Sequence, residues 1–264
     1  MKLSDCKRIV FKVGTSTLTY SNYNTNIRRL QKLVWVLADL HNSGKEVALV
    51  TSGAIAVGVG KLRLGQRPEA IPSRQAASCV GQCELMFLYN KFFSEFGLNI
   101  GEMLITNRDI EDAESRRNLH NTFESIFALG AIPVINENDS VSVDEIVFGD
   151  NDHLSAAVAK LVGADALVML TDTDGLFDAN PVEDPNARLI PKVDVITDEM
   201  LAAASGTGSS RGTGGMVTKL DAAKLATEAG IETFVINGSD PADIYKLVDG
   251  RSLGTHFKAL SADE

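Results

Sequence analysis

Cysteine is scarce in this chain. Cys6, Cys79 and Cys83 are the only three in 264 residues, an odd number that excludes a fully paired disulfide framework. Cys79 and Cys83 fall at helical spacing in an apolar segment, which predicts a core role, and two thiols are too few ligands for a structural zinc site. Long apolar runs are missing too: 44% of the residues are hydrophobic, yet no stretch is long enough to cross a bilayer. The start, Met1-Lys2-Leu3-Ser4-Asp5, has no apolar segment of the secretory type, so the expectation is a soluble, cytoplasmic protein. Positive charge is in deficit. The formal net charge of −10 comes without a basic stripe, which excludes a nucleic-acid footprint but not a small-anion site, since that needs only a few local cations and N–H groups. Familiar nucleotide motifs are absent as well. Gly44-Lys45 is followed by Glu46, so no G-x-x-x-x-G-K-[ST] occurs, and no strand runs into G-x-G-x-x-G with a suitable acidic residue beyond it. The protein-kinase motif set is also missing.

What is present is an alternation of β-rich and helical segments. Arg8–Val13 reads as a buried strand stopped by Gly14, and Asn26–His41 shows helical spacing through Ile27, Leu30, Leu33, Val34 and Leu37. Strands are expected at Glu46–Thr51, Leu98–Ile105, Ile132–Ile135, Ala166–Leu170 and Ile231–Ile236. Helices are expected at Arg74–Phe96, Ser115–Leu129, Asn151–Leu161, Met216–Ala229 and Ala242–Val248, with a hairpin over Val141–Phe148. The pattern implies an α/β fold with a mainly parallel central sheet covered by helices on both faces. No linker or short repeat divides the chain, so one domain over 1–264 is expected. Two irregular stretches, Asp172–Lys192 and Ser205–Gly215, are too long for simple connectors and are expected to cover a ligand.

In an open parallel sheet, ligands lie beyond the carboxyl ends of the strands. There the sequence places Gly14-Thr15-Ser16, Thr51-Ser52-Gly53, Asn136-Glu137-Asn138-Asp139 and Thr171-Asp172. Each could be turn or capping chemistry taken singly; together they favour a site. The run Gly212-Thr213-Gly214-Gly215-Met216-Val217-Thr218-Lys219 leads three glycines into a helix carrying a lysine. Glycines let backbone N–H groups approach an anion, and a helix start attracts negative charge. Lys12 interrupts a strand that should be buried, so it either snorkels out at the strand end or meets a negative partner. The sharper reading brings Lys12 and Lys219 to opposite sides of a transferring phosphoryl group. Asp150-Asn151-Asp152 exceeds what capping requires; a carboxylate there could hold the lysines in register, while Asn136, Asp139 and Asn151 could bind a substrate amino group. His153 is read as structural, because a carboxylate acceptor is already ionised near neutral pH and needs no general base.

The strings KVGTS (12–16), TSGAIAVG (51–58), PVINENDSV (133–141), FGDND (148–152), TDTDGLF (171–177) and GTGGMVTK (212–219) together resemble the glutamate 5-kinases of the amino acid kinase family. The resemblance spans nearly the whole chain in order. It implies a three-layer α/β/α sandwich, with an acceptor-binding half over 1–165 and a nucleotide-binding half over 166–264. It also implies transfer of the ATP γ-phosphoryl group, with Mg2+, to the side-chain carboxylate of L-glutamate, the first step of proline biosynthesis. By the family pattern Ser52, Gly53, Asn136, Asp139 and Asn151 would bind glutamate. Thr171, Asp172 and Thr213, Gly214, Gly215, Met216, Val217, Thr218 and Lys219 would bind ATP, together with Lys12. Lys12 and Lys219 would stabilise the transferring group and Asp152 would orient them. Homo-oligomerisation, feedback inhibition by proline and a glutamyl-phosphate reductase as partner are family traits. The alternatives are a non-catalytic nucleotide or amino-acid sensor on the same fold, or a kinase for a related carboxylate. Two departures stand out: many relatives continue into a small C-terminal domain of the type found in RNA-modifying enzymes, whereas this chain ends soon after Phe257, and Val147 stands where many relatives carry lysine.

Overall fold

The computed structural model of the protein describes residues 2–142, 151–205 and 215–260. Its strands are β1 (Arg8–Val13), β2 (Glu46–Val50), β3 (Ile100–Ile105), β4 (Ile132–Glu137), β5 (Ala166–Thr171), β6 (Lys192–Val193), β7 (Glu232–Asn237) and β8 (Thr255–Phe257). Among the described residues they form one eight-stranded sheet in the order β3-β4-β2-β1-β5-β7-β8-β6. Every neighbouring pair is parallel except β7 and β8.

The helices are α1 (Thr15–Leu18), α2 (Ile27–Asn42), α3 (Ala54–Lys61), α4 (Ile71–Ser94), α5 (Asn107–Glu111), α6 (Ala113–Ala128), α7 (Asp152–Leu161), α8 (Asp198–Ser205), α9 (Met216–Glu228) and α10 (Ile244–Val248). Local chemistry starts several of them. The Asn26 side chain accepts from the Arg29 N–H at the head of α2, the Asp112 side chain accepts from the Ser115 N–H at the head of α6, and Pro72 occupies the first turn of α4.

Two apolar cores flank the sheet. Ile9, Phe11 and Val13 of β1 face the core built with Leu30, Leu33 and Leu37 of α2 and Leu85 and Tyr89 of α4. Val10 faces the opposite core with Leu154 and Val158 of α7 and Leu220 and Ala223 of α9. These layers are the α/β/α sandwich. Strand alternation puts Lys12 on the face of Val10, where an apolar residue would complete the second core.

Differences from the sequence reading are local. Cys79 and Cys83 are exposed, and only Cys6 of the three cysteines is buried. The buried residues of α4 include Ala77, Ser78, Gly81, Gln82, Leu85 and Tyr89, a face from which positions 79 and 83 are turned away. Strands β6 and β8 and helices α1, α5 and α8 were not anticipated. Most of the expected hairpin at 141–148 and most of the stretch 205–215 lie outside the described residues. The excursion Asp172–Lys192 is anchored by β8: Thr255 Oγ1 accepts from the Leu176 N–H at 2.8 Å and donates to the Ile190 carbonyl at 2.7 Å. Gly175 permits this approach, with φ of +146° and a position where a Cβ would sit 2.6 Å from Thr255 Oγ1.

Candidate active site

The strand order reverses beside β1. From β1 the chain moves through β2, β3 and β4 on one side, then crosses to β5 and β7 on the other. A crevice opens at the carboxyl ends of the strands at such a switch point, and Gly14, Thr51 and Thr171 stand at the ends of β1, β2 and β5.

Lys12 is 3% exposed, Lys219 7% and Asp152 0%. Lys12 Nζ donates to Asp152 Oδ1 at 2.6 Å and Lys219 Nζ to Asp152 Oδ2 at 3.1 Å. The Thr218 hydroxyl reaches Oδ2 at 3.0 Å and the Gly215 carbonyl at 2.9 Å. One carboxylate therefore gathers both ammonium groups, and β1, α7 and α9 each contribute one charge. Asp152 opens the first turn of α7, where the helix dipole favours its ionised form. Neither α7, α9 nor α3 begins with a side-chain cap.

On one side of the cleft, Gly53 adopts φ of +89°, a left-handed conformation that turns the chain sharply from Thr51-Ser52 into α3. Ser52, Asn136, Asp139 and Asn151 are all buried. Asn151 Nδ2 donates to the Thr51 carbonyl and to Asn136 Oδ1, both at 2.7 Å, and Asn136 Nδ2 donates to Gln82 Oε1 at 2.8 Å. The Ser78 hydroxyl donates to Asp139 Oδ2, and Gln75 Nε2 to the Asp139 carbonyl at 2.9 Å. Two oxygens of this network, Asp139 Oδ1 and Asn151 Oδ1, are buried with no hydrogen-bond donor among the described residues. Such atoms are costly unless a ligand satisfies them, and an ammonium group supplies three donors and no acceptor. Burial raises the pKa of the Asp139 carboxyl, outweighing the Ser78 hydrogen bond and the charge of Arg67, which both lower it.

Contacts between helices hold this side in place. A Cβ on Gly58 of α3 would lie 1.8 Å from the Ala77 carbonyl oxygen, and one on Gly81 of α4 the same distance from that of Ala54. Only glycine lets α3 and α4 approach so closely, bringing Ala54, at the start of α3, against the face of α4 that carries Ser78 and Gln82. Tyr89 on α4 adds a 2.9 Å hydrogen bond to Thr51 Oγ1.

At the opposite side Thr171 Oγ1 donates to Asp172 Oδ1 at 3.1 Å, and the Gly238 N–H donates to the Thr171 carbonyl at 2.7 Å. A Cβ on Gly238 would lie 2.7 Å from Thr17 Oγ1, so the ends of β5 and β7 and helix α1 close together here. Gly215 precedes α9, and Met216, Val217 and Thr218 form its partly exposed first turn. Thr213, Gly214, Val147 and Asp150 lie outside the described residues. His153 is exposed.

Sequence reasoning missed Gln75, Ser78 and Gln82. Their spacing of three and four residues along one helix was the available signal. A cavity of about 670 Å³ lined by Ile110, Arg116, Arg117, His120, Lys160 and Leu225, among others, shares no residue with this cleft; the buried charges converge in the cleft instead. Among the described residues no three carboxylate, histidine or cysteine groups gather as a metal site, and no helix is long and apolar enough to cross a membrane.

Residues 7–237 match the amino acid kinase family. The chain is 49% identical to glutamate 5-kinase of Clostridium perfringens over 99% of its own length and 98% of that protein's. It is 50% identical to glutamate 5-kinase of Listeria monocytogenes, over 97% of this chain and 94% of the relative. Among solved structures, UMP kinase from Bacillus anthracis superposes with a TM-score of 0.66 at 15% identity, covering 97% of each chain. Isopentenyl phosphate kinase of T. acidophilum gives 0.62 at 17% identity, covering 95% of this chain and 100% of the other. At those identities the two structures speak for the fold alone.

Proposed function

This chain belongs to the amino acid kinase family, and we propose that its cleft transfers the γ-phosphoryl group of ATP to the side-chain carboxylate of L-glutamate, the first step of proline synthesis. The observation that carries the reading is the Lys12–Asp152–Lys219 cluster, with buried oxygens of Asp139 and Asn151 that meet no donor among the described residues.

The acceptor carboxylate is ionised near neutral pH and attacks without a base. A glutamate side-chain oxygen forms the new bond to the γ-phosphorus, the bond to the β–γ bridging oxygen breaks, and its electron pair leaves with ADP. The transferring group spreads charge over its oxygens, so catalysis rests on positioning and electrostatics. Lys12 and Lys219 supply that stabilisation, and Asp152 sets their spacing. Ser52, Gly53, Asn136, Asp139 and Asn151 bind glutamate, with Asp139 Oδ1 and Asn151 Oδ1 accepting from its ammonium group. Thr171, Asp172 and the loop from Thr213 to Lys219 bind ATP. The two roles divide the chain near residue 165.

Mg2+ accompanies the nucleotide in this reading. It binds through phosphate oxygens and water with few protein carboxylates, which suits a cleft whose central carboxylate already engages two lysines. The same reading carries a cytoplasmic setting, where ATP and glutamate are abundant, self-association, inhibition by proline, and a reductase that consumes the acyl phosphate.

The test is ATP- and magnesium-dependent formation of γ-glutamyl hydroxamate from glutamate and hydroxylamine, with aspartate and N-acetylglutamate as control acceptors. Product with glutamate alone, lost in Lys219→Ala, is expected. Measurable ATP binding with no product from any acceptor would instead identify a sensor.

A further inference from the structure

We propose that Glu102, at the edge of the sheet, is a positioning residue for the acceptor site: it fixes the direction of a file of hydrogen bonds that leaves the Asn151 side-chain oxygen free to accept from the substrate. The inference rests on Asn151 being a glutamate ligand.

A primary amide donates at one end and accepts at the other, so turning it over exchanges the two. A carboxylate only accepts. Glu102 lies at an exposed position of β3 and accepts from Gln82 Nε2 at 2.8 Å. Gln82 therefore presents its oxygen inward, where Asn136 Nδ2 donates to it at 2.8 Å. Asn136 in turn presents Oδ1, which accepts from Asn151 Nδ2 at 2.7 Å and from the Glu137 N–H at 3.0 Å. The second N–H of Asn151 is taken by the Thr51 carbonyl at 2.7 Å. Both donors of Asn151 are thereby spent on the protein, and among the described residues its buried oxygen meets no donor. With the amide reversed, Asn151 would point N–H groups at an ammonium group.

The Thr51 carbonyl and the Glu137 N–H anchor the inner members of the file. Gln82 has no such inner anchor in this file, and Glu102 holds its outer end. If Gln82 turned over, its Nε2 would face Asn136 Nδ2, setting donor against donor in a buried place; the Gln82–Asn136 bond would be lost and the strain passed to Asn136 and, through it, to Asn151. The mechanism predicts sensitivity to hydrogen-bond character at position 102, not to its charge or size.

Three variants decide the matter through KM for glutamate, KM for ATP and kcat, with thermal melting to check folding. Glu102→Lys offers only donors and should raise KM for glutamate about tenfold, the scale of one mismatched buried hydrogen bond, with KM for ATP and kcat near their original values. Glu102→Gln keeps an acceptor oxygen and should stay within about threefold. In the double variant Glu102→Lys with Gln82→Glu, the new carboxylate accepts from both the introduced ammonium group and Asn136 Nδ2, which should restore KM for glutamate. An unchanged KM in folded Glu102→Lys, equal losses in Glu102→Gln and Glu102→Lys, or failure of the double variant to recover would each overturn the proposal. Asn151→Ala separates the levels. If it raises KM for glutamate while Glu102→Lys does not, the relay alone is wrong; if it leaves KM unchanged, Asn151 is not a ligand and the inference falls with that reading.

Discussion

Replacing Asp152 by asparagine tests the charge arrangement most directly. Asp152 is fully buried and engages Lys12 at 2.6 Å and Lys219 at 3.1 Å. The substitution keeps the shape and removes the negative charge that compensates two ammonium groups held out of water. Breaking a buried ion pair by neutralising one partner costs about 3–5 kcal/mol, and in a domain of this size each kcal/mol lowers Tm by about 2–4 °C. The apo variant should therefore melt at least about 6 °C below the parent. ATP brings negative charge to the same lysines, so it should raise Tm more in Asp152→Asn than in the parent. Adding Lys12→Met should recover part of the lost stability without recovering activity, since it removes one of the two buried ammonium groups that Asp152 engages. The kcat should fall by about 10² or more, as expected when electrostatic preorganisation is lost. Thermal melts with and without ATP, combined with the hydroxamate assay, give every quantity. A Tm within about 2 °C of the parent together with kcat within about threefold would refute the view that Asp152 organises the lysines.

Other perturbations address separate parts of the cleft. Lys219→Ala should lower kcat by about 10² or more while changing KM for glutamate little; a pure rise in KM for ATP would demote this lysine to a binding group. Gly81→Ala drives a Cβ to within 1.8 Å of the Ala54 carbonyl oxygen and should destabilise by at least about 1–3 kcal/mol, lowering the denaturation midpoint and raising KM for glutamate, because Ser78 and Gln82 flank it. Asp139 has a pKa raised by burial above the ordinary 3.8. A carboxyl that binds its proton more tightly when folded contributes stability that is present below the unfolded pKa and lost as pH rises through the folded one. Asp139→Asn lacks that loss, so its Tm relative to the parent should climb between acid and neutral pH while its affinity for glutamate falls; a Tm difference flat with pH would contradict the assignment.

The long strands could be read in the sequence because a strand covered on both faces must be apolar along its length, and Arg8–Val13 appears in the structure with the same bounds. Lys12 was conspicuous for the same reason: one charge in such a run needs a partner, and Asp152 provides it. The polar residues of α4 at the cleft were hidden, since Gln75, Ser78 and Gln82 look like ordinary helix-surface residues until Asp139, Asn136 and Glu102 come against them in the fold. Cys79 and Cys83 misled in the opposite sense. They share helical spacing with Phe87, and all three are exposed, Phe87 at 62%, so apolar periodicity marked a surface stripe as well as a core. Strands β6 and β8 span two and three residues, too short for any periodic signal, and β8 is set by its pairing with β7.

The placement of the charges also bears on how the two substrates are coupled. Lys12 comes from the first strand and Asp152 from the helix just before β5, both in the proposed acceptor half, whereas Lys219 comes from α9 in the proposed nucleotide half. Their hydrogen bonds cross the boundary between the halves, and Thr218 doubles the link from α9. Asn151, next in sequence to Asp152, ties the same helix start to the acceptor network. In the proposed reading the start of α7 is thus shared: the N-cap Asn151 addresses the amino acid, and Asp152 addresses the lysines that meet the phosphoryl group. A displacement of α7 would disturb both at once, so variants that shift this turn should change affinity for glutamate and turnover together, while variants confined to the far end of the amide file should change affinity alone.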